Sequence, residues 1–137
     1  MDNHGGYMPI LDVISEKQAT GKVKRIFDDI KKVKKIKIIP NFWKTIATDP
    51  DTLERTWNSL KQVMQKGSID TMIKEMIYVA VSMTNSCEYC IRSHTLAAKK
   101  KGMSEKMLKE LIAVVAMANE TNRLVESYQV EVDKFLK

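Results

Sequence analysis

Residues 85–102 read NSCEYCIRSHTLAAKKKG and hold both cysteines of the chain, Cys87 and Cys90, together with His94, one of its two histidines. A cysteine pair at this spacing supports three chemistries: a redox dithiol, part of a metal site, or two inert thiols. On a helix Cys87 and Cys90 stand three apart and Cys90 and His94 four apart, so all three project from one face. With Asn85 or Ser86 as N-cap, Cys87 falls in the first turn, where unpaired backbone N–H groups and the positive dipole end favour a thiolate. The thiolate is the reactive form, and His94 could accept its proton or relay it through water. A bridge across so short a loop constrains little of the unfolded chain, so a disulfide here would exist to open and close.

Glu75 is the second candidate. It lies within TMIKEMIYVAVSM, the most apolar helical stretch, with Met72 at i−3, Tyr78 at i+3 and Val79 at i+4. Burial there would push its pKa upward, toward the range useful for proton transfer. Its alternative is an exposed position beside Lys74.

The elements that must position these groups read as helices. Val23, Ile26, Phe27, Ile30 and Val33 recur at spacings of three and four behind a Thr20 cap, and Pro40 stops the pattern. Lys31, Lys32, Lys34 and Lys35 would form its solvated face, with Val33 and Ile36 turned inward. Asn41 would cap a short helix carrying Phe42, Trp43 and Ile46. Asp49-Pro50 opens another with Leu53, Trp57, Leu60 and Met64 on one side and Gly67 at its end. Asp70 begins the Glu75 helix, Thr84-Asn85-Ser86 breaks it, and Gly102 ends the cysteine helix after Lys99–Lys101. Ser104 starts a helix through Leu111, Ile112, Val115 and Ala116. A separate last helix is expected over about 121–136, with Leu124, Tyr128, Val132 and Phe135 in step. The expectation is an all-α helical bundle of six to seven helices, with 1–137 as one domain. Met72, Met76 and Met83 read as flexible core filler, and Trp43 and Trp57 as core or interface.

Composition excludes several function classes. The chain of 137 residues is 44% hydrophobic and 29% charged, as expected of a globular protein. Its longest apolar runs fall far short of the roughly 20 residues a membrane span needs. The start MDNHGGYMPILD lacks the basic and apolar segments of a secretory signal. The expected setting is therefore cytoplasmic, with no membrane partner. The net charge is +6, and KKVKKIKII is its densest basic run, but no aromatic side chains interleave with these lysines to stack bases. No nucleic-acid partner is expected. His4 has no assignable role.

Glu75, eleven residues, Cys-Glu-Tyr-Cys, three residues and His94 together resemble the signature of the alkylhydroperoxidase D-like family, within the carboxymuconolactone decarboxylase superfamily. The likeness is closest over about 70–116. It is looser upstream, where NFWKTIATDP and TLERTWNSLKQVM resemble the peroxidase-related branch. It implies an all-helical subunit that forms trimers or hexamers and works without metal or organic cofactor. Carried over by position, Cys90 would attack the peroxide oxygen to give a sulfenic acid, and Cys87 would resolve it to a disulfide. Glu75 and His94 would be the proton relay that deprotonates Cys90 and supports the leaving hydroxide. The implied partners are an organic hydroperoxide and a small-thiol or protein dithiol reductant such as dihydrolipoamide. One departure stands at Tyr89, where some members carry a second histidine. A phenol can support a hydrogen bond but is a poor base at neutral pH.

Four readings follow. The first is a thiol-dependent antioxidant peroxidase; the second is a dithiol–disulfide exchange protein with little peroxidase activity. The third is lactone decarboxylation, which needs no thiols and so leaves the cysteine pair unexplained. The fourth is a metal-binding or structural oligomerisation module, for which Cys87, Cys90 and His94 offer three donors and Glu75 a fourth. Apolar residues on several helices exceed what so small a core needs, which fits oligomerisation.

Overall fold

The helical periodicity of the sequence is realised throughout a computed structural model that describes residues 8–137; His4 lies outside them. Six α-helices follow in order: α1 (Gly21–Lys34), α2 (Asn41–Ile46), α3 (Pro50–Met64), α4 (Thr71–Thr84), α5 (Glu88–Lys100) and α6 (Glu105–Ser127), then a 3₁₀ turn at Lys134–Leu136. No strand occurs among the described residues, so the all-α expectation holds. The chain forms two units, the first running to Val63 and the second from Met64 to Lys137.

The first unit holds the larger core. Val23, Ile26, Phe27 and Ile30 of α1 pack with Ile39, Trp43, Ala47, Leu53 and Trp57, and Leu53 and Ile30 lose all solvent exposure. The rings of Trp43 and Trp57 meet edge to face at 5.4 Å, a favoured aromatic geometry. The indole Nε1 of Trp57 donates to Asp29 Oδ2 at 2.7 Å, and Lys61 Nζ donates to the same oxygen at 2.7 Å. The hydrogen bond from Lys61, then that from Trp57, hold the Asp29 carboxyl below the usual carboxylate range. Glu16 ties the turn before α2 by pairing with Lys31 and accepting the Ile39 N–H.

Two expectations in this unit are corrected. Val33 is 48% exposed instead of turned inward, because α1 ends one residue later and Lys35 takes a left-handed backbone (φ 54) that redirects the chain; Ile36 does pack against the core. Asn41 is the first helical residue, and Pro40 is the cap. The Pro40 carbonyl already accepts the N–H groups of Trp43 and Lys44 and so begins the helix itself.

In the second unit α4 packs mainly on α5 and also on α6. Asp70 caps α4 by accepting the Met72 N–H at 2.8 Å, and Ser104 caps α6 by accepting the Met107 N–H at 3.1 Å. Val79, Ala98 and Met103 are the buried apolar side chains. The helices expected separately after Ser104 are one element, α6, of 23 residues. Its polar middle is absorbed without a break: Asn119 donates to the Val115 carbonyl and Thr121 to the Met117 carbonyl. Gln129 (φ 50) then ends the helix, so Val132 and Phe135 leave its register. No residue of α6 is buried, and Val114 is 67% exposed. No helix among the described residues is long and apolar enough to cross a membrane.

Truncating Leu53 to Ala in a site with no exposure should cost about 2–5 kcal/mol of stability, whereas Val33→Ala should stay within about 0.5 kcal/mol. Urea unfolding of the two variants beside the native chain checks the contrast.

Candidate active site

The turn between α4 and α5 is built by backbone hydrogen bonds. Ser86 takes a left-handed conformation (φ 56), its N–H reaches the Met83 carbonyl at 3.2 Å, and the Cys87 N–H reaches the Ser82 carbonyl at 3.0 Å. These are the paired closing bonds of a Schellman turn, in which glycine is the usual left-handed residue. Cys87 therefore ends α4 and at the same time caps α5, its Sγ accepting the Cys90 N–H at 3.4 Å. This corrects the expectation that Asn85 or Ser86 would be the cap with Cys87 in the first turn. The Schellman turn consumes both residues, and the cap falls on the cysteine.

Glu75 is 6% exposed, which removes it from any solvent stripe. Its Oε2 lies 2.7 Å from His94 Nδ1, and its Oε1 accepts a hydrogen bond from Lys101 Nζ at 2.6 Å. Burial pulls the Glu75 carboxyl upward, but the hydrogen bonds from His94 and Lys101 and the lysine charge outweigh it. The carboxyl ends below its usual range, opposite to the upward shift expected from the sequence. The reason is that both oxygens are partnered by nitrogen donors from α5 and its cap, which favours the charged form. With Nδ1–H directed at a carboxylate, Nε2 is the His94 nitrogen able to accept a proton.

Cys87 and Cys90 are unbridged and half-buried. Burial, then a hydrogen bond to Cys87 and the charge of that sulfur, push the Cys90 thiol up to about 11. The Tyr78 ring stacks on the His94 imidazole at 3.6 Å and 17°, which fixes the ring plane. Burial pushes the Tyr78 phenol up, as do the nearby charges of Cys90, Cys87 and Glu75. Ser82, buried below, donates to the Tyr78 carbonyl at 2.7 Å.

The structure thus brings Glu75 and His94 together, and Cys87 with Cys90, while Tyr89 is 45% exposed. The sequence reading missed Lys101, taken there only as a favourable charge at a helix end. It also named Tyr78 only as a neighbour of Glu75. For Tyr78 the signal was present, since it stands one turn beyond Glu75; for Lys101 nothing in the spacing announces a contact 26 residues distant. Among the described residues, no three His, Cys, Asp or Glu side chains gather as a metal-ion cluster.

A family model for "carboxymuconolactone decarboxylase family" matches residues 50–130, more than half the chain. The chain belongs to the carboxymuconolactone decarboxylase family. A crystal structure described as the alkylhydroperoxidase AhpD core of Rhodospirillum rubrum is 39% identical and superposes with a TM-score of 0.91, over 96% of this chain and 99% of that one. This agrees with the alkylhydroperoxidase D-like resemblance read from the sequence. "Uncharacterized protein 4 in cox locus" of Paracoccus denitrificans is 34% identical over 56 residues, 41% of this chain and 50% of that protein, so the match spans half that relative's length.

A carboxyl held low in the fold stabilises it above the unfolded-state value and loses that contribution as pH falls through the folded one. The stability difference between the native chain and Glu75→Gln should therefore shrink as the pH is lowered below the ordinary carboxyl value of 4.5, as measured by chemical unfolding on either side of it.

Proposed function

We propose that the protein is a thiol-dependent peroxidase of the alkylhydroperoxidase type, with both units acting as one domain in the cytoplasm. The observation that carries this reading is the buried Glu75–His94 contact, with His94 one helical turn along α5 from the half-buried Cys90. The thiol of Cys90 is hard to ionise alone, so its attack needs a base, and His94 stands one turn along α5 from it. His94 Nε2 takes the Cys90 proton, and Glu75 stabilises the resulting imidazolium through Nδ1–H.

The Cys90 sulfur then bonds the terminal oxygen of an organic hydroperoxide while the O–O bond breaks. Cys90 becomes a sulfenic acid, and the leaving alkoxide takes the proton from His94 and departs as an alcohol. The Cys87 thiolate attacks the sulfenic sulfur; the S–S bond forms, and hydroxide leaves as water after protonation. A dithiol such as dihydrolipoamide reduces the disulfide by exchange and is itself oxidised, which closes the cycle with no other cofactor. The exposed apolar side chains of α6, among them Val114, Met117 and Val125, support assembly as a homotrimer or homohexamer.

One feature favours a second reading, dithiol–disulfide exchange with little peroxide chemistry. Cys87 Sγ caps α5 and accepts the Cys90 N–H, so a backbone donor at the helix N-terminus is aimed at the first sulfur of the pair.

Hydroperoxide consumption with dihydrolipoamide separates the two. The peroxidase reading expects turnover by the native chain and its loss in Cys90→Ser. Retained turnover in that variant removes Cys90 from the attacking role, and no turnover in either protein favours exchange.

A further inference from the structure

Lys101 enters the site from the end of α5, where a Gly102 turn (φ 107) closes the helix and the Met103 N–H reaches the Ala98 carbonyl at 3.0 Å. That turn fixes Lys101 as the C-cap, and its Nζ reaches Glu75 Oε1 at 2.6 Å while His94 occupies Oε2. The Glu75 side chain is 8% exposed, so its negative charge must be balanced within the protein. We propose that Lys101 is a positioning residue that supplies this balancing charge and so keeps His94 uncharged and able to accept a proton. The inference deepens the peroxidase reading of the same site and rests on it for its catalytic meaning.

The charge count is simple. Glu75 and His94 are the buried members and the Lys101 side chain is 36% exposed; with the lysine positive and the carboxylate negative, the cluster is neutral when His94 is neutral. Without the lysine, the group becomes neutral only when His94 binds a proton, and burial then drives that uptake. A base already protonated cannot deprotonate Cys90. The groups bearing on this balance are Glu75 and Tyr78 from α4, and Cys87, Cys90, His94 and Lys101 from α5 and its caps. Among the described residues, no side chain of α6 hydrogen-bonds or ion-pairs with Glu75, His94 or Lys101.

The test is proton NMR titration of the imidazole ring in the full chain. There are two histidines, and the His94 signals are those lost in His94→Gln. In Lys101→Met the site should bind its proton roughly tenfold more tightly than in the native chain, and Lys101→Arg should restore the native titration. Lys101→Gln, which keeps a hydrogen-bond donor without the charge, should behave like Lys101→Met. An unchanged titration in both neutral variants overturns the proposal, as does a shift that Lys101→Arg fails to reverse. The hydroperoxide assay is read separately. A shifted titration in a protein without peroxide turnover upholds the charge role of Lys101 and defeats the peroxidase reading alone. Where turnover is present, its acid limb should move to higher pH in Lys101→Met.

Discussion

A carboxylate buried on the most apolar helix of the chain is the constraint around which the second unit is arranged. Glu75 can remain ionised there only if both oxygens are met by donors, because an unpartnered buried charge costs several kcal/mol, on the order of 3–5 when one partner is removed. Both donors come from one neighbouring helix. His94 stands at its middle and Lys101 at its cap, so α5 must lie along α4 in a single register for the two contacts to form together. The tight Schellman turn at Ser86 and the glycine turn at Gly102 set the two ends of that register. The polar cluster thus specifies the packing of α4 on α5 as much as Val79 and Ala98 do.

The same register delivers the dithiol. Cys87 is held by its N–H to the Ser82 carbonyl and by its sulfur to the Cys90 N–H, so the cysteine that closes one helix opens the next. Tyr78 stacks on the His94 imidazole and holds its ring plane. Backbone geometry, buried charge and aromatic packing therefore converge on a few residues, and the family match gives that convergence a chemical context.

Much of this was legible in the sequence, for definite reasons. Helical spacing set Cys90 and His94 one turn apart on α5, though Cys87, as the cap, falls outside that helical register, and an acidic residue inside an apolar stretch marked Glu75. What spacing could not supply was the partner that decides the charge state of Glu75. A lysine at a helix end reads as a dipole contact, and its reach across to another helix depends on tertiary packing. The expected rise of the Glu75 pKa failed for that reason: burial was read correctly and compensation was not. The cap position failed for a local one, since a left-handed serine does in this turn what glycine usually signals. In α6, the side chains of Asn119 and Thr121 bond back to helix carbonyls, and the helix runs unbroken through the boundary expected between Ala116 and about 121.

We infer that Cys87 and Cys90 act as one redox pair toward peroxide. The decisive measurement mixes the fully reduced chain with one equivalent of cumene hydroperoxide, without any reductant, and counts thiols and peroxide together. Both thiols should disappear as the peroxide is consumed, with a Cys87–Cys90 disulfide recovered by peptide mass analysis. Peroxide that persists beside two intact thiols would contradict it.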